Sequence, residues 1–428
     1  MIHHPVLDQA ASAGIKLGLE RVRSFLAFLG EPHRAYPTIH IGGTNGKGSV
    51  SSMVTAALVD AGYRVGTNIS PHLEDVNERI QLDGVPVDDA SFVEALEHLD
   101  RARWEWARGL QDAGIPLTYF ELLTVLAMHI FAQRGVDVAV FEVGLGGRLD
   151  ATNVIQPVAT AVTSIGLDHT DVLGDTLALI AAEKAGILKR GASVVLGALP
   201  PEAREVLELR ARALDLTLWR PGRELMREQR GGRWSLRGPD GGLNDVKLTL
   251  RGDHQGGNAL VALGLLQSLR RQGFHIPDGA IRSGLERATI AGRIETLAPG
   301  VIADGCHNPQ GAEAFARWLA DQPRPASRIL LFGMSHDRDP RPVIGPLLSL
   351  VDEVVLTRCA HPKASEPSAL GALLEDVDAV LSDGGPIEEA LPEVLTDADE
   401  VIVAGSLYLV GAARSLLRSG AVQRPRSS

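Results

Sequence analysis

The sequence has little cysteine, few aromatic residues and no excess of positive charge. Two cysteines, Cys306 and Cys359, in 428 residues are too few for a disulfide framework and are typical of a reducing compartment. A formal charge of −11 disfavours a general nucleic-acid binder. No apolar run approaches the roughly 18 residues of a membrane helix, and Met1–Glu20 lacks the apolar core of a signal peptide. We therefore expect a cytoplasmic protein without nucleic-acid or membrane partners, and a monomer because no long apolar stripe is visible.

The remaining composition is that of a large globular protein. Hydrophobic residues make up 45% of the chain and charged residues 22%. At about 100 to 200 residues per domain, this length predicts two domains. A stretch with Gly292, Pro299 and Gly300 precedes a new strand, so we predict domains over 1–295 and 296–428.

Short β-branched runs alternate with helical patterns, which predicts an α/β fold with mostly parallel sheets and a smaller, Rossmann-like α/β domain at the C-terminus. The segment Leu216–Arg251, with its paired glycines, predicts a small antiparallel sheet. Helices are predicted at Gly18–Leu29, Val50–Asp60, Phe120–Gln133, Leu177–Leu188, Asn258–Arg271 and Gly311–Leu319. Strands are predicted at Thr38–Ile41, Val136–Val143, Val158–Ile165, Ser193–Leu196, Val301–Asp304, Ile329–Phe332, Glu353–Thr357, Ala379–Leu381 and Glu400–Ala404.

A glycine-rich loop between a predicted strand and helix carries the strongest chemical signal. From Gly42 to Ser49 it reads Gly-Gly-Thr-Asn-Gly-Lys-Gly-Ser. Glycines let backbone amides turn towards phosphates, Lys47 adds a cation, and the following helix adds its N-terminal dipole. The pattern predicts a phosphate-binding loop of the P-loop type, with Ser49 near the metal. Gly48 separates Lys47 from Ser49, whereas the usual loop places the hydroxyl residue directly after lysine.

Two polar side chains stand where predicted strands end. Glu142 closes an apolar strand at the edge where open α/β sheets bind ligands, and a carboxylate there suits a hard cation. Its alternative role is to cap the next loop or to pair with Arg148. His169 follows Asp168 at another strand end and is either a metal ligand or a loop histidine bonded to the backbone.

The glycine loop is the first of a series of motifs. Its Thr-Asn-Gly-Lys-Gly-Ser form resembles the loop of the Mur ligase superfamily, and within it that of the folylpolyglutamate synthase and dihydrofolate synthase family. The resemblance continues in the family's order over roughly residues 14–408. The later motifs are Ser70–Leu73, Asn77–Ile80, Thr118–Glu121, Glu142–Asn153, Gly166–Thr170, Glu183–Ile187, His254–Gln255, Asn258–Ala259, Gly292–Arg293, Asp304–Pro309 and Gly405–Tyr408.

The resemblance implies an ATP-dependent ligase that adds L-glutamate to dihydropteroate or to folates through an acyl phosphate, with Mg²⁺. It places ATP and the folate in the first domain and glutamate in the second. Magnesium ligands are implied at Ser70, Glu142 and His169, and Lys184 is implied to be carbamylated. Catalytic roles are implied for Lys47, Glu142, His169, Lys184 and His307. ATP contacts are implied at Gly43, Thr44, Asn45, Gly46, Lys47, Gly48, Ser49, Asn258, Arg293 and Asp304. Substrate contacts are implied at Ile15, Lys16, Leu17, Pro71, His72, Thr118, Phe120, Arg148, Leu149, Asp150, Ala151, Thr152, Asn153 and Ser406.

From the residues alone, several of these positions keep a structural alternative. Ser70 precedes Pro71 and suits a turn. Lys184 follows Glu183 on a helical segment and suits a solvated charged face. Phe120 suits the apolar core of its helix. Arg293 suits a salt bridge near the domain boundary, and His307 suits the start of a helix.

Two other functions are weighed against folate ligation. A ligase of peptidoglycan precursors carries a nucleotide-sugar domain before the loop, and only 41 residues precede Gly42 here, which argues against it. A nucleotide-regulated switch or kinase would use the loop without ligation. Such a protein has no need of a second α/β domain bearing Asp304, His307 and Ser406.

Overall fold

The computed structural model describes residues 2, 4–14, 16–109 and 117–422. The chain divides into two compact units: unit 1 is Met1–Thr249 with Gln255–Thr289, and unit 2 is Leu250–His254 with Ile290–Ser428. Both have mostly parallel sheets, which confirms the predicted fold class. Among the described residues, no helix combines the length and the hydropathy that crossing a bilayer requires.

The main sheet in the described part of unit 1 has eight strands, in the order β4-β3-β2-β5-β1-β6-β7-β8. Strands β3 and β4 are antiparallel to their neighbours, and the others run parallel. In the central strand β1, Ile41 lies between Glu142 of β5 and Ala161 of β6. The strands are β1 Thr38–Gly42, β2 Val65–Asn68, β3 Ile80–Leu82, β4 Val85–Pro86, β5 Val138–Glu142, β6 Ala159–Val162, β7 Ser193–Leu196 and β8 Leu218–Trp219.

Helices cover both faces of this sheet, as expected for parallel strands that are buried on two sides. One core contains Phe25, Phe92 and Phe131, and another contains Ile180 and Leu207. The helices are α1 Pro5–Ser12, α2 Glu20–Phe28, α3 Lys47–Asp60, α4 Asp89–Arg108, α5 Tyr119–Arg134, α6 Thr170–Leu173, α7 Leu177–Ala185, α8 Pro201–Ala213, α9 His254–Arg270 and α10 Asp278–Arg287. Short 3₁₀ helices lie at Pro32–Arg34, Val76–Arg79 and Ala151–Val154.

The predicted antiparallel sheet is confirmed as three strands: β9 Met226–Arg230, β10 Arg233–Gly238 and β11 Gly241–Val246. Unit 2 then has a sheet of the order β12-β13-β17-β14-β15-β16. Its strands are β12 Glu295–Ala298, β13 Val301–Asp304, β14 Arg328–Phe332, β15 Glu353–Arg358, β16 Leu381–Pro386 and β17 Glu400–Ala404. Its helices are α11 Pro309–Ala320, α12 Arg341–Leu348, α13 Pro367–Leu373, α14 Ile387–Asp397 and α15 Leu407–Arg418.

The order of unit 2 creates a reversal point beside β14. The chain moves from β14 outward through β15 to β16, and then returns to β17 on the other side of β14. The loops after β14 and β17 therefore separate at the carboxyl edge of the sheet. Open α/β sheets bind ligands at such a point.

Some predicted boundaries differ from the structure. The strand predicted at Ala379–Leu381 lies further along the chain, because β16 begins at Leu381. The stretch before Val301 contains a strand that was not predicted, β12, which pairs with β13. The sequence analysis did not identify β2. This strand contains Gly66, where a Cβ would lie 2.6 Å from the ring of Phe131, so its glycine serves packing rather than a turn.

Candidate active site

The phosphate loop joins β1 to α3, as the motif predicts. Gly46 has φ +86° and directly precedes Lys47, the first residue of α3. A Cβ on Gly46 would lie 2.4 Å from Oδ1 of Asn258, so α9 packs against the loop and leaves room for glycine alone. Lys47 Nζ donates to the carbonyl oxygen of Thr44 at 3.1 Å. The predicted ATP-binding residues Gly46, Lys47 and Asn258 thus lie at one place in unit 1.

Two residues that the sequence analysis missed hold this loop. Thr163 and Ser164 follow β6, which pairs with β1. The hydroxyls of both donate to the carbonyl oxygen of Asn45, at 2.6 and 2.9 Å. The amide of Asn45 donates to Ser164 Oγ at 2.8 Å. The sequence did contain one signal for this role, because two hydroxyl residues lie near the end of a predicted strand.

Lys184 is buried beneath the same loop. Its side chain is 4% exposed, and its Nζ donates to the carbonyl oxygen of Gly43 at 3.0 Å. Burial, followed by the nearby charge of Lys47, lowers the pKa of Lys184 to about 7, although Asp168 and Asp150 oppose this shift. The alternative of a solvated charged face is therefore wrong for Lys184.

Glu142 lies at the carboxyl end of β5, with 4% of the residue exposed. Ser70 follows β2, the neighbouring strand, and its amide lies 3.4 Å from Glu142 Oε2. His169 directly precedes α6 and has φ +51°, and its Nε2 lies 3.8 Å from Asp168 Oδ1. The structure therefore brings Ser70 and Glu142 together and leaves the side chain of His169 45% exposed.

The donor set around Glu142 fits a magnesium ion that is shared with phosphate. In the described ranges, no group of three or more His, Cys, Asp and Glu residues is arranged to hold a metal. Mg²⁺ commonly uses one or two carboxylates together with substrate phosphates and water. Glu142 and the hydroxyl of Ser70 supply hard oxygen donors of this kind.

The loop from Gly144 to Asn153, which contains the predicted substrate residues Arg148–Asn153, has an exposed side and a buried side. Arg148 is exposed and pairs with Glu183 at 2.9 Å. Asp150, Thr152 and Asn153 are buried instead, at 5%, 0% and 3% exposed, as is Ala151. Asn153 Nδ2 donates to the carbonyl oxygens of Arg148 and Gly186. The side chains of the buried residues therefore support the loop from within.

The exposed side of the loop lines an open cavity whose empty space, about 330 Å³, extends into solvent. Leu17, Leu145 and Leu149 give it apolar walls, with Val172 and Leu173 beyond them. Arg148 and Glu183 stand at its polar side. Of the predicted substrate residues before helix α2, Leu17 lines the cavity and Lys16 accepts a hydrogen bond from Arg21, while Ile15 lies outside the described residues.

The remaining predicted substrate residues of unit 1 lie on α5 and after β2. Thr118 begins α5 as one half of a capping box with Glu121. The half-buried ring of Phe120 lies against Gly144, where a Cβ would be 2.4 Å from Cζ. His72 Nδ1 accepts from Arg79 at 2.9 Å, and Pro71 beside it is exposed.

In unit 2, Asp304 ends β13 and is 6% exposed. It accepts from the amides of Ile294 and Cys306, both at 2.9 Å. Burial raises the pKa of Asp304, while the charge of Arg293 opposes the shift. His307 Nδ1 lies 2.9 Å from the carbonyl oxygen of Gly305. Asp304, Arg293 and His307 thus gather around the end of one strand.

A second cavity lies at the reversal point of unit 2, and it is an open depression whose empty space, about 260 Å³, extends into solvent. Ser335 follows β14 and Ser406 follows β17, and both line it. Tyr408 and His361 stack at its side, with ring centres 3.8 Å apart and planes 13° apart. Arg358 and Lys363 add positive charge to the lining. Of these residues the sequence analysis assigned a role to Ser406 alone.

Comparisons with known proteins agree with this architecture. A family model described as the C-terminal domain of dihydrofolate synthetase matches residues 292–418. Dihydrofolate synthase/folylpolyglutamate synthase of Mycobacterium tuberculosis is 35% identical over 96% of this chain and 92% of its own. E. coli FolC in complex with DHPP and ADP is similar in structure, with a TM-score of 0.87 and 31% identity over 98% of this chain and 99% of its own.

A further solved structure is a bifunctional folylpolyglutamate synthase/dihydrofolate synthase with Mn, AMPPNP and L-glutamate bound. Its TM-score is 0.85, with 30% identity over 97% of this chain and 98% of its own. Similarity at this level extends through both units. The chain therefore belongs to the dihydrofolate synthase/folylpolyglutamate synthase family.

Proposed function

We propose that this protein ligates L-glutamate to a folate-type carboxylate at the expense of ATP, with the residues described above in specific roles. Family membership over nearly the whole chain places it among ATP-dependent ligases of folate metabolism. The observation that carries the assignment of roles is the phosphate loop. It begins at the carboxyl end of β1 and lies beside Lys184, while Glu142 closes the adjacent strand β5.

ATP binding is assigned to the loop from Gly43 to Ser49. Its amides and the start of α3 favour phosphate, and Lys47 stabilises the charge that develops on the transferring phosphoryl group. The substrate carboxylate attacks the γ-phosphorus, the bond from this phosphorus to the bridging oxygen breaks, and ADP leaves. The amino group of glutamate then attacks the resulting acyl phosphate, loses a proton and releases phosphate. An amide bond forms in this way.

Magnesium is assigned to Glu142 and Ser70, with His169 as a further ligand. The ion would neutralise charge on the phosphate oxygens of bound ATP. Glu142 contributes because its carboxylate is buried at the sheet edge, where few waters compete for it. The relative that holds Mn and AMPPNP supports a divalent cation beside the nucleotide.

Carbamylation of Lys184 is a separate part of the proposal. A neutral amine attacks carbon dioxide, forms a carbon–nitrogen bond and loses a proton to give an anionic carbamate. The lowered pKa of Lys184, about 7, keeps a large share of the side chain neutral at physiological pH. The product bears oxygens that suit a hard cation, as ammonium does not.

The folate-type acceptor is assigned to the cavity lined by Leu17, Leu145 and Leu149. A flat pterin and benzoyl group suits apolar walls, and Arg148 would bind a carboxylate by exchanging its exposed pairing with Glu183. Glutamate is assigned to unit 2, in the cavity lined by Ser406. There Arg358 and Lys363, which pair with Glu366 and Asp337 in this structure, would exchange these partners for the carboxylates of glutamate.

The experiment that tests this function is glutamate-dependent phosphate release from ATP and magnesium. Dihydropteroate and a reduced monoglutamyl folate serve as separate acceptors, and mass spectrometry identifies each product. Turnover with both acceptors means a bifunctional synthase, and turnover with one assigns the specialised activity. ATP binding without glutamate-dependent turnover would contradict ligation and favour a nucleotide switch.

We also propose that the protein is a cytoplasmic monomer. Sedimentation of the purified protein tests the oligomeric state.

A further inference from the structure

His40 is a buried histidine that the ligation mechanism does not use. It lies in the middle of β1, two residues before the phosphate loop, and is 0% exposed. Burial, followed by the charge of Lys189, lowers its pKa to about 3, so the ring is neutral at physiological pH. Its Nε2 lies 2.8 Å from Oγ1 of Thr152, across the sheet face.

Thr152 connects His40 to Asp150. The hydroxyl of Thr152 donates to Asp150 Oδ1 at 2.5 Å, and the amide of Thr152 donates to the same oxygen at 3.0 Å. Because the hydroxyl has one hydrogen and gives it to Asp150, it accepts from His40. The neutral ring therefore carries its hydrogen on Nε2. Among the described residues, Nδ1 of His40 has no hydrogen-bond partner.

Asp150 uses its other oxygen to close the substrate loop. Oδ2 accepts from the amides of Gly144 and Leu145, at 3.0 and 2.8 Å. One carboxylate at the end of the segment Gly144–Asp150 thus binds the two amides at its beginning. Five residues of this segment, from Leu145 to Leu149, line the cavity of about 330 Å³.

We propose that His40 is a positioning residue for the folate-type acceptor, because it holds the segment Gly144–Asp150 in its binding shape through Thr152 and Asp150. The inference rests on the proposed function, since it concerns the acceptor cavity of that reaction. His40 does not line the cavity, so its loss should affect acceptor binding through the shape of the segment. The nucleotide loop has supports of its own, namely the contacts of Thr163 and Ser164 with Asn45, so we expect a smaller effect on ATP binding.

Two pairs of variants of the full chain test the inference. Thr152→Val keeps the shape of the side chain and removes the hydroxyl, whereas Thr152→Ser keeps the hydroxyl. His40→Leu removes the donor, whereas His40→Gln keeps an amide donor near the place of Nε2. The matched control is Thr160→Val. Thr160 is fully buried in β6 opposite His40, and within the described chain its hydroxyl has no hydrogen-bond partner.

Steady-state kinetics and urea unfolding are measured for every variant. We expect Thr152→Val and His40→Leu to raise the KM for the acceptor about tenfold, the effect of a lost buried hydrogen bond. The KM values for ATP and glutamate should stay within about twofold of the wild-type values. Thr152→Ser, His40→Gln and the control should keep the wild-type KM for the acceptor. The double variant His40→Leu/Thr152→Val should equal Thr152→Val alone, because the valine already removes the hydroxyl that His40 contacts.

The outcomes separate this inference from the proposed function. A wild-type enzyme without glutamate-dependent turnover would overturn the function and the inference with it. Normal wild-type turnover with an unchanged acceptor KM in Thr152→Val overturns the inference alone, even if urea unfolding shows lower stability. Equal rises in the KM for ATP and for the acceptor would also overturn it. If His40→Leu does not fold, an unchanged acceptor KM in Thr152→Val still overturns the inference, and a wild-type acceptor KM in His40→Gln still supports it.

Discussion

The side-chain nitrogen of Lys184 lies 3.0 Å from the carbonyl oxygen of Gly43, so a buried amine touches the backbone of the phosphate loop. This contact joins α7 to the loop after β1, two elements that are distant in the sequence. Burial at this place lowers the pKa of Lys184 to about 7.

Stability should rise with pH because of Lys184. In the unfolded chain its pKa is near the ordinary value of 10.5, whereas burial lowers it to about 7 in the folded protein. Between these values the unfolded chain binds more protons, so the free energy of unfolding increases as pH rises from about 7. Urea unfolding in buffers free of carbon dioxide measures this slope. Lys184→Met should flatten it, and an unchanged slope would remove Lys184 as its origin.

Lys47→Ala should abolish turnover without loss of stability. We expect kcat to fall about a thousandfold, because a cation aimed at the transferring phosphoryl group is lost. The free energy of unfolding should change by less than about 0.5 kcal/mol, since Lys47 donates to one carbonyl oxygen in a half-exposed loop. Phosphate release measures kcat, and urea unfolding measures the free energy of unfolding. The control is Lys247→Ala, at an exposed lysine of unit 1; a purely structural loop would show the reverse result for Lys47.

Glu142→Gln should weaken the response to magnesium. The amide keeps the size of the side chain and removes the charge, so the magnesium concentration for half-maximal rate should rise about tenfold or more. The matched control is Asp137→Asn, because Asp137 directly precedes β5 at the opposite end and bonds to the amide of Arg64. Rate measurements over a range of magnesium concentrations make the comparison. The same titration curve for Glu142→Gln and the wild-type enzyme would exclude Glu142 from the metal site.

Arg21→Met should destabilise unit 1. Arg21 lies 2.7 Å from Glu121, whose side chain is 4% exposed, so the variant leaves a buried carboxylate without its cation. We expect the free energy of unfolding to fall by about 3 kcal/mol. The exposed pair of Arg34 and Glu31 provides the control, and Arg34→Met should change stability by less than about 0.5 kcal/mol. If the two variants lower the free energy of unfolding equally, burial of Glu121 does not set the size of the effect.

Much of the fold could be predicted because local patterns carry it. The strands Ser193–Leu196, Val301–Asp304 and Glu400–Ala404 lie where their β-branched runs predict them. The phosphate loop also follows from local sequence, since glycines next to a strand and before a helix adopt few other structures. The sequence analysis did not predict short or irregular strands such as β2 and β12, because their stability comes from the sheet rather than from their own residues.

The candidate site was predicted less completely, for a physical reason. The motif from Glu142 to Asn153 indicated one substrate loop, yet the sequence did not separate Arg148, which is exposed, from Thr152, which is buried. Exposure depends on the packing of β1 and the 3₁₀ helix that follows the loop. Thr163 and Ser164 could be recognised only as hydroxyl residues near the end of a strand, because their role depends on β6 lying beside β1, which the sequence does not show.

The sequence by itself determined the alternation of strands and helices, the phosphate loop and the order of motifs that shows the family. Each of these depends on residues that are close together in the chain. The tertiary structure alone decided that Lys184 is buried under Gly43, that His40 reaches Asp150 through Thr152, and that His361 stacks on Tyr408. These pairings, and the pKa of Lys184, arise from burial and contact between distant segments, which no local pattern contains.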